Sequence, residues 1–460
     1  MPSCRPRWLL WVLPPAAIAL ACSTSVSGTI ALITGADAST FTQTPLPTSL
    51  AITATEVDGG VTVLSTSALP GTGDVTLPDQ STSVTASITA FATDDAGNTI
   101  IWGESLPVEF DNLEGVTLDI FVQRTGQLAV LPNPLTANVA SPLLCILDGR
   151  FVLATGGSVV ANQQATELYD LLTWTPLESP PAVPVAPLSL ACTGTQALLV
   201  NGTNSTFYDF SDSSYTQGTA PTGGNFGEVT GGGSVPTPDG STFIVAATNP
   251  TLGLTVSVLY MDSQENMVFA QLQNERSGAA AAFVPTADSL AGLGLAVIGG
   301  SGSAPAVEIL AESESQATVL SQFPPDTTVG AAATALDSKH ILVAGGVDAI
   351  TKKDPGVRVY NLACVPDGGT ASCAPILWNA PMVTMPSAQA FAINATSAFV
   401  VGNDASNNTH AYKVTATSAT EITFNVPRKG ATAVQLPTGP VAVVGGDVTM
   451  ESFFVLPTGM

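Results

Sequence analysis

Charge is scarce in this chain, and positive charge is scarcest. Asp, Glu, Lys and Arg make up 10% of its 460 residues, where about 25% is usual for globular domains. With 36 Asp and Glu against 12 Lys and Arg, the formal charge is −24. Nucleic acid and anionic membrane surfaces are held by clustered Lys and Arg that displace counterions, and no such cluster exists here. Nucleic acid is therefore not expected as a partner. Imidazole comes only from His340 and His410, which nearly empties the pool of bases poised near neutral pH and of the commonest metal ligand. A Gly-x-Ser-x-Gly elbow, a phosphate loop and a metal-binding helix motif are all missing. No cofactor, metal or catalytic residue is expected.

Gly (42), Pro (34) and abundant Ala, Thr, Ser and Val are present instead, and they supply turns and β-compatible positions. Lys, Glu and Arg, the usual formers of helix surfaces, are few. The fold class expected is all-β. At 45% hydrophobic residues the chain can bury a large core, divided among two or three domains or held in a large β unit.

The first residues read as an address. Arg5 and Arg7 precede an apolar run over 8–21, the charged and apolar regions of a secretory leader, with small residues at the cut. Fourteen residues rising 1.5 Å each give about 21 Å, short of the roughly 30 Å hydrocarbon core, and Pro14 and Pro15 would break a spanning helix. The run ends Ile18, Ala19, Leu20, Ala21, Cys22, which resembles the lipobox of bacterial lipoproteins, with Ala19 and Leu20 departing from the commoner residues. That resemblance implies cleavage after residue 21, lipidation of Cys22 and, with Ser23 following, anchoring in the outer membrane of a Gram-negative cell. The alternative is ordinary cleavage near Ala21. Loss of Arg5 and Arg7 with the leader takes the charge from −24 to −26.

Between about 28 and 125, short alternating runs are separated by turn signals. The runs lie at 48–55, 61–64, 83–91, 99–102 and 116–120, with hairpin signals at 58–60 and 94–98. A β-sandwich of about seven strands is expected over 22–126, resembling immunoglobulin-like or transthyretin-like modules. Asp94, Asp95 and Asn98 lack the alternating oxygens and distal Glu of a calcium loop and are read as a hairpin turn.

Beyond residue 127 a period appears. An apolar strand that closes on small residues recurs at 151–157 (FVLATGG), 197–202 (ALLVNG), 243–248 (FIVAAT), 295–300 (LAVIGG), 341–346 (ILVAGG), 399–402 (FVVG) and 441–446 (VAVVGG). The closing residues are 45, 46, 52, 46, 56 and 44 apart. Ala-rich segments precede it at 278–282, 330–333 and 430–433, and aromatic strands bearing Tyr169, Tyr208, Tyr260, Tyr360 and Tyr412 follow. Trp174 and Trp378 mark an outer strand, completing the four strands of a propeller blade. Small residues suit the crowded axis, Gly permits the tight turn, and aromatics fill the widening gap between blades.

These residues resemble the repeats of the kelch and galactose-oxidase-like propellers, whose blade period is about 50 residues. The double glycines Gly156–Gly157, Gly299–Gly300, Gly345–Gly346 and Gly445–Gly446 fit, as do Arg276 and Arg428 ahead of the Ala-rich strands. The second, third and sixth copies lack one or both glycines. The resemblance implies a propeller over 127–460 with seven blades, six or eight remaining open. Nothing after 452–456 can serve as an outer strand, whereas 127–132 (QLAVLP) is placed like 318–324 (TVLSQFP) and is expected to complete the last blade.

The same register places Cys145 and Cys192 on adjacent inner strands, within reach of a disulfide, with two buried thiols as the alternative. Cys364 and Cys373 flank a polar excursion in the fifth repeat and are expected to staple it.

Copper-oxidase propellers need His and Tyr ligands with a Tyr–Cys pair, and the two histidines lie in unrelated registers. A sialidase-like site needs a central Arg cluster, yet the propeller segment has only Arg150, Arg276, Arg358 and Arg428. Lys352 and Lys353 form a basic pair in an acidic chain and are read as solvated loop charges. The function expected is a monomeric, surface-anchored, non-catalytic binding lipoprotein with an unknown protein or glycan ligand. The alternative is a glycan-active hydrolase using acidic residues at the propeller mouth, to be recognised by converging carboxylates of raised pKa there.

Overall fold

A computed structural model describes residues 25–26, 28–35, 39–56, 60–68, 75–76, 80–81, 84–133, 135, 141–157, 166–178, 180–184, 186–285, 294–302, 305–312, 314–365, 373–424, 426–446 and 454–456. The expected leader and Cys22 lie outside these residues. Regular structure is strand throughout, broken by three 3-10 turns, and among the described residues no helix is long and apolar enough to cross a membrane.

The N-terminal segment folds around one apolar cluster of its own. Thr85–Thr93 pairs with Ser49–Glu56 and with Thr99–Glu104, and Val61–Ala68 and Gln123–Arg124 lie at the two edges. In Thr85–Thr93 every second residue is buried, so Ala86, Ile88, Ala90 and Ala92 face the core. A second sheet, in which Thr117–Phe121 runs parallel to Thr29–Ile33, contributes Ile30, Leu118 and Ile120.

The remainder is a β-propeller of four-stranded antiparallel sheets. Sheet I is Leu143–Leu147, Phe151–Thr155, Glu167–Asp170 and Thr175–Pro176. Sheet II is Ser189–Thr193, Gln196–Asn201, Asn204–Asp209 and Ser214–Gln217. Sheet III is Gly233–Pro236, Thr242–Val245, Thr255–Met261 and Met267–Arg276. Sheet IV is Ala280–Val284, Gly294–Ile298, Pro305–Ala311 and Thr318–Pro325. Sheet V is Thr328–Ala335, His340–Asp348, Val357–Asn361 and Ile376–Trp378. Sheet VI is Ser387–Asn394, Ser397–Asn403, Thr409–Thr415 and Ser418–Glu421. Sheet VII takes Thr432–Gln435, Val441–Val444 and Phe454–Leu456 from the end of the chain and Ala129–Val130 as its fourth strand.

Each first strand lies against the first strand of the next sheet, and Thr432–Gln435 of sheet VII lies against Leu143–Leu147 of sheet I. Every seam has its own apolar cluster. Between IV and V it is built on Ile298, Ile309, Val343 and Tyr360; between VI and VII on Phe399, Val401, Ala433 and Val443. The seam between VII and I holds Ala442, Val444, Val152 and Trp174, and there Phe121 and Leu106 of the N-terminal segment join it. Phe121 and Trp174 have ring centroids 5.3 Å apart. This packing joins sheet VII to sheet I.

Both disulfides form. Cys145 and Cys192 join the first strands of sheets I and II with Cα atoms 5.9 Å apart, beside an Asp148 N–H donating to the Gly194 carbonyl at 2.6 Å. Cys364 and Cys373 close the excursion of sheet V, Cα atoms 6.0 Å apart, and the Cys373 N–H donates to Gln322 of sheet IV.

Two details differ from the sequence pattern. In the third repeat the strand stops at Val245 and Ala246–Thr248 forms a 3-10 turn, a way to leave the strand without glycine. Trp174 stands not on the outer strand but in the turn before it, at φ +54°. Its carbonyl accepts from the Tyr169 hydroxyl at 2.8 Å and from Asn133 Nδ2 at 3.1 Å, and these bonds with the ring burial hold a side chain that rarely adopts this backbone.

Candidate functional site

The propeller offers three places for chemistry: the axis, the face where second strands turn into third strands (the glycine face), and the opposite face, where first strands turn into second (the turn face).

The axis is poor in chemistry. The first strands read LLCIL, SLACT, GSVP, AAAFV, TVGAAATA, SAQAFAIN and TAVQ, and their only titratable side chains, Cys145 and Cys192, are bonded to each other. No carboxylate on these strands reaches the mouth.

Several buried charges sit at sheet junctions. Arg276, at the end of the outer strand of sheet III, is 2% exposed. Its Nε and one terminal nitrogen donate to Glu308 at 3.1 and 2.9 Å, and its other bonds reach the carbonyls of Gly299, Ala306 and Pro305. Glu308 also accepts from the Gln273 N–H and Asn274 Nδ2. Arg428 repeats the theme, donating to the Gly445 carbonyl as Arg276 does to that of Gly299. In sheet V, Arg358 pairs with Asp326 at 3.2 Å, and Tyr360 and Thr328 also donate to that carboxylate. Burial works to raise the Asp326 carboxyl, but the Arg358 charge and these hydrogen bonds hold it below the usual range. Sequence reasoning found Arg276 and Arg428 but missed Glu308 and Asp326. The signal was present: Glu308 and Arg358 sit opposite Val297 and Val343, each two residues before the first of a glycine pair.

All eight paired glycines adopt left-handed backbone, from φ +69° at Gly345 to φ +92° at Gly300. A side chain at Gly346 would meet Ala331 N at 2.7 Å, so here both the angle and the space require glycine. Trp378 ends the outer strand of sheet V and packs partly buried at the V–VI seam.

The turn face is acidic: Asp148, Asp209, Asp239, Asp262, Glu265, Glu312 and Asp337 stand on its turns. Two carboxyls are pushed up, Glu265 by burial and by Asp209 and Asp262, and Glu312 by burial and by Asp239. His340 is on this face, bonded to Asp337 at 2.8 Å. His410 is on the other, so the two histidines do not converge. Among the described residues no group of three His, Cys, Asp or Glu is arranged to hold a metal ion.

The glycine face carries long loops with exposed apolar tips: Leu188 (53% exposed), Leu254 (53%), Ile350 (76%) and Val383 (40%). Ile350 stands on a braced knuckle. Asp348 accepts from the N–H groups of Ile350 and Thr351 and from the Thr327 hydroxyl, which holds its carboxyl down at about 2. Lys352 and Lys353 follow on the same knuckle, both exposed.

Between sheets VI and VII this face opens into a cleft of about 710 Å³. One wall is the turn after Ser397–Asn403, where Asp404 accepts from the N–H groups of Ser406 and Asn408, from Asn408 Nδ2 and from His410 Nε2 at 3.4 Å. These bonds, the Asn408 amide first, hold the Asp404 carboxyl down at about 2. His410 Nδ1 meets Glu421 Oε1 at 3.1 Å. The other wall is the loop bearing Ile422, Phe424, Pro427, Arg428 and Lys429. The Asp94 hairpin of the N-terminal segment uses the same three bonds, to Ala96, Asn98 N and Asn98 Nδ2, so its oxygens are spent on the turn as expected of a plain hairpin.

No protein-family profile matches the chain, and no curated protein does. Solved structures similar to it include the Cps50 (Swd1) β-propeller domain of Myceliophteria thermophila, 12% identical with a TM-score of 0.41, covering 71% of this chain and 99% of that one. The WD40 β-propeller domain of Doa1 is 12% identical with a TM-score of 0.40, covering 71% and 96%. A quinonprotein alcohol dehydrogenase-like protein from Bacteroides thetaiotaomicron is 10% identical with a TM-score of 0.43, covering 83% and 89%.

Proposed function

We propose that the chain is a non-catalytic binding protein: a kelch-like, seven-bladed propeller over 127–460 serving as a rigid stage, with a β-sandwich over 22–126 ahead of it. We further propose that it is exported and tethered as a monomer to the outer membrane by a lipid on Cys22, facing the periplasm or the cell surface. The observation that carries the binding reading is the axis, whose first strands offer no free ionisable side chain, while the buried pairs Arg276–Glu308 and Arg358–Asp326 join neighbouring sheets. The glycine face supports it further, since its loops expose Leu254 and Ile350, the latter on a backbone braced by Asp348, the kind of pre-organised apolar contact that binds at low entropic cost. The glycine pairs with Arg276 and Arg428 support the kelch assignment. The run over 18–22 supports the anchor.

The test is binding by the mature chain to envelope extracts, with Leu254→Ser and Ile350→Ser expected to lower retention of a partner more than fivefold. Retention unchanged by both would refute the assignment of this face. Glu265 and Glu312, with raised carboxyls, favour one competing reading, a glycan hydrolase working on the turn face. Turnover of glycosides that Glu312→Gln abolishes would establish it.

A further inference from the structure

We propose that the cleft between sheets VI and VII binds a small neutral polyhydroxylated ligand, the end of a saccharide. This rests on the reading of the ring as a binding scaffold and gives that scaffold a defined site. The volume of about 710 Å³ falls within the roughly 300–1,000 Å³ of small-molecule sites.

Charge selects the ligand class. Over the whole chain acids outnumber bases 36 to 12, but the cleft sets Asp404 and Glu421 against Arg428 and Lys429, two of each. A balanced lining in an acidic protein offers no net attraction to an anion or a cation. The two carboxylates approach different nitrogens of the His410 ring, and among the described residues they form no group arranged to hold a metal ion.

What remains for a ligand is a short set of groups. Asp404 is saturated by its turn, and Arg428 is buried and directed at Gly445. Glu421 Oε2 and the Lys429 ammonium have no partner among the described residues, and both side chains are exposed. The Thr423 hydroxyl is also exposed at the rim. An acceptor, a donor and a hydroxyl beside the apolar surfaces of Phe424 and Pro427 match a sugar, whose hydroxyls both donate and accept and whose C–H face is apolar. The floor is held by backbone: Thr409 N–H donates to Arg428 at 2.8 Å and Gly430 N–H to Asn407 at 2.9 Å, so the cleft does not have to form on binding.

The experiment is a printed array of neutral, carboxylated, sulfated and amino sugars probed with the mature chain, followed by calorimetry on the best neutral hit. Binding to neutral sugars is expected, with Glu421→Gln plus Lys429→Ala lowering affinity at least tenfold and Lys339→Ala, on the turn face, leaving it unchanged. Equal melting temperatures of the two variants exclude a folding defect. No bound sugar, binding confined to charged sugars, or affinity unchanged in the double variant would each overturn the cleft assignment. A protein partner lost on Ile350→Ser with no sugar bound would leave the scaffold standing without this site. Turnover of the bound sugar would overturn the scaffold reading instead.

Discussion

Glu308 and Arg358 occupy the same register of the third strand in successive sheets, yet they carry opposite charge. Each partner lies ahead of a first strand, Arg276 before Ala280–Val284 and Asp326 before Thr328–Ala335. The repeat conserves a tie between neighbouring sheets and reverses its polarity. Breaking such a buried pair leaves an uncompensated charge, at a cost of about 3–5 kcal/mol. Arg276→Met is therefore expected to lower unfolding free energy by about that amount. Arg150→Met should cost less, because Arg150 is itself 37% exposed and the buried Asp170 it leaves behind still accepts from the Leu172 N–H and the Thr173 hydroxyl. Urea denaturation of the two variants checks the contrast.

Loop length ranks the disulfides. Cys145–Cys192 spans 47 residues and Cys364–Cys373 spans 9. Chain-entropy reasoning gives about 4 kcal/mol for the first and about 2.6 for the second. Replacing each pair by Ser should lower the denaturation midpoint more for Cys145–Cys192, and the reverse order would show that the unfolded chain is not the source of the effect.

Sheet VII needs Ala129–Val130, which pairs with Phe454–Leu456. A chain that starts near Ala137 loses this strand and exposes Phe454–Leu456 as an edge. It is expected to aggregate or melt without cooperativity, as read by calorimetry and light scattering, while a start near residue 28 should not.

Glu265 holds φ +67° at the turn position where Gly97 and Asn407 stand in the two matching Asp-to-Asn turns. Glu265→Gly should therefore stabilise by about 0.5–1 kcal/mol. The acid limb follows from sign. The carboxyls of Asp326, Asp348 and Asp404 are held below their unfolded values, so their contribution is present above about pH 4 and lost as pH falls toward 2. Glu265 and Glu312 are raised, so theirs is present below about pH 4 and lost as pH rises past their folded values. Melting temperature should fall below pH 4 in the native chain, and less steeply in Asp404→Asn.

Much of the ring was legible because its strands are written in small and apolar residues at a fixed spacing. The eight paired glycines announce left-handed turns, and the Ala-rich segments announce first strands. The ends of the repeat were harder to read. Nothing in FIVAAT marks a 3-10 exit from the strand, because Ala246 and Ala247 read equally well as strand. Trp174 at positive φ could not be anticipated, since its cause is tertiary: the Tyr169 hydroxyl and the Phe121 ring arrive from other strands. The cleft was missed for a related reason. His410 and Glu421 are 11 residues apart on paired strands, but Lys429 and Phe424 reach it only through the loop that follows.

On the proposed function, the ring works by contact through its glycine face. A photo-reactive side chain placed at Leu254 or Ile350, and separately at Asp212 or Asp239 on the turn face, tests it in the intact cell. Covalent adducts are expected from 254 and 350 and not from 212 and 239. Adducts confined to 212 and 239 would contradict it.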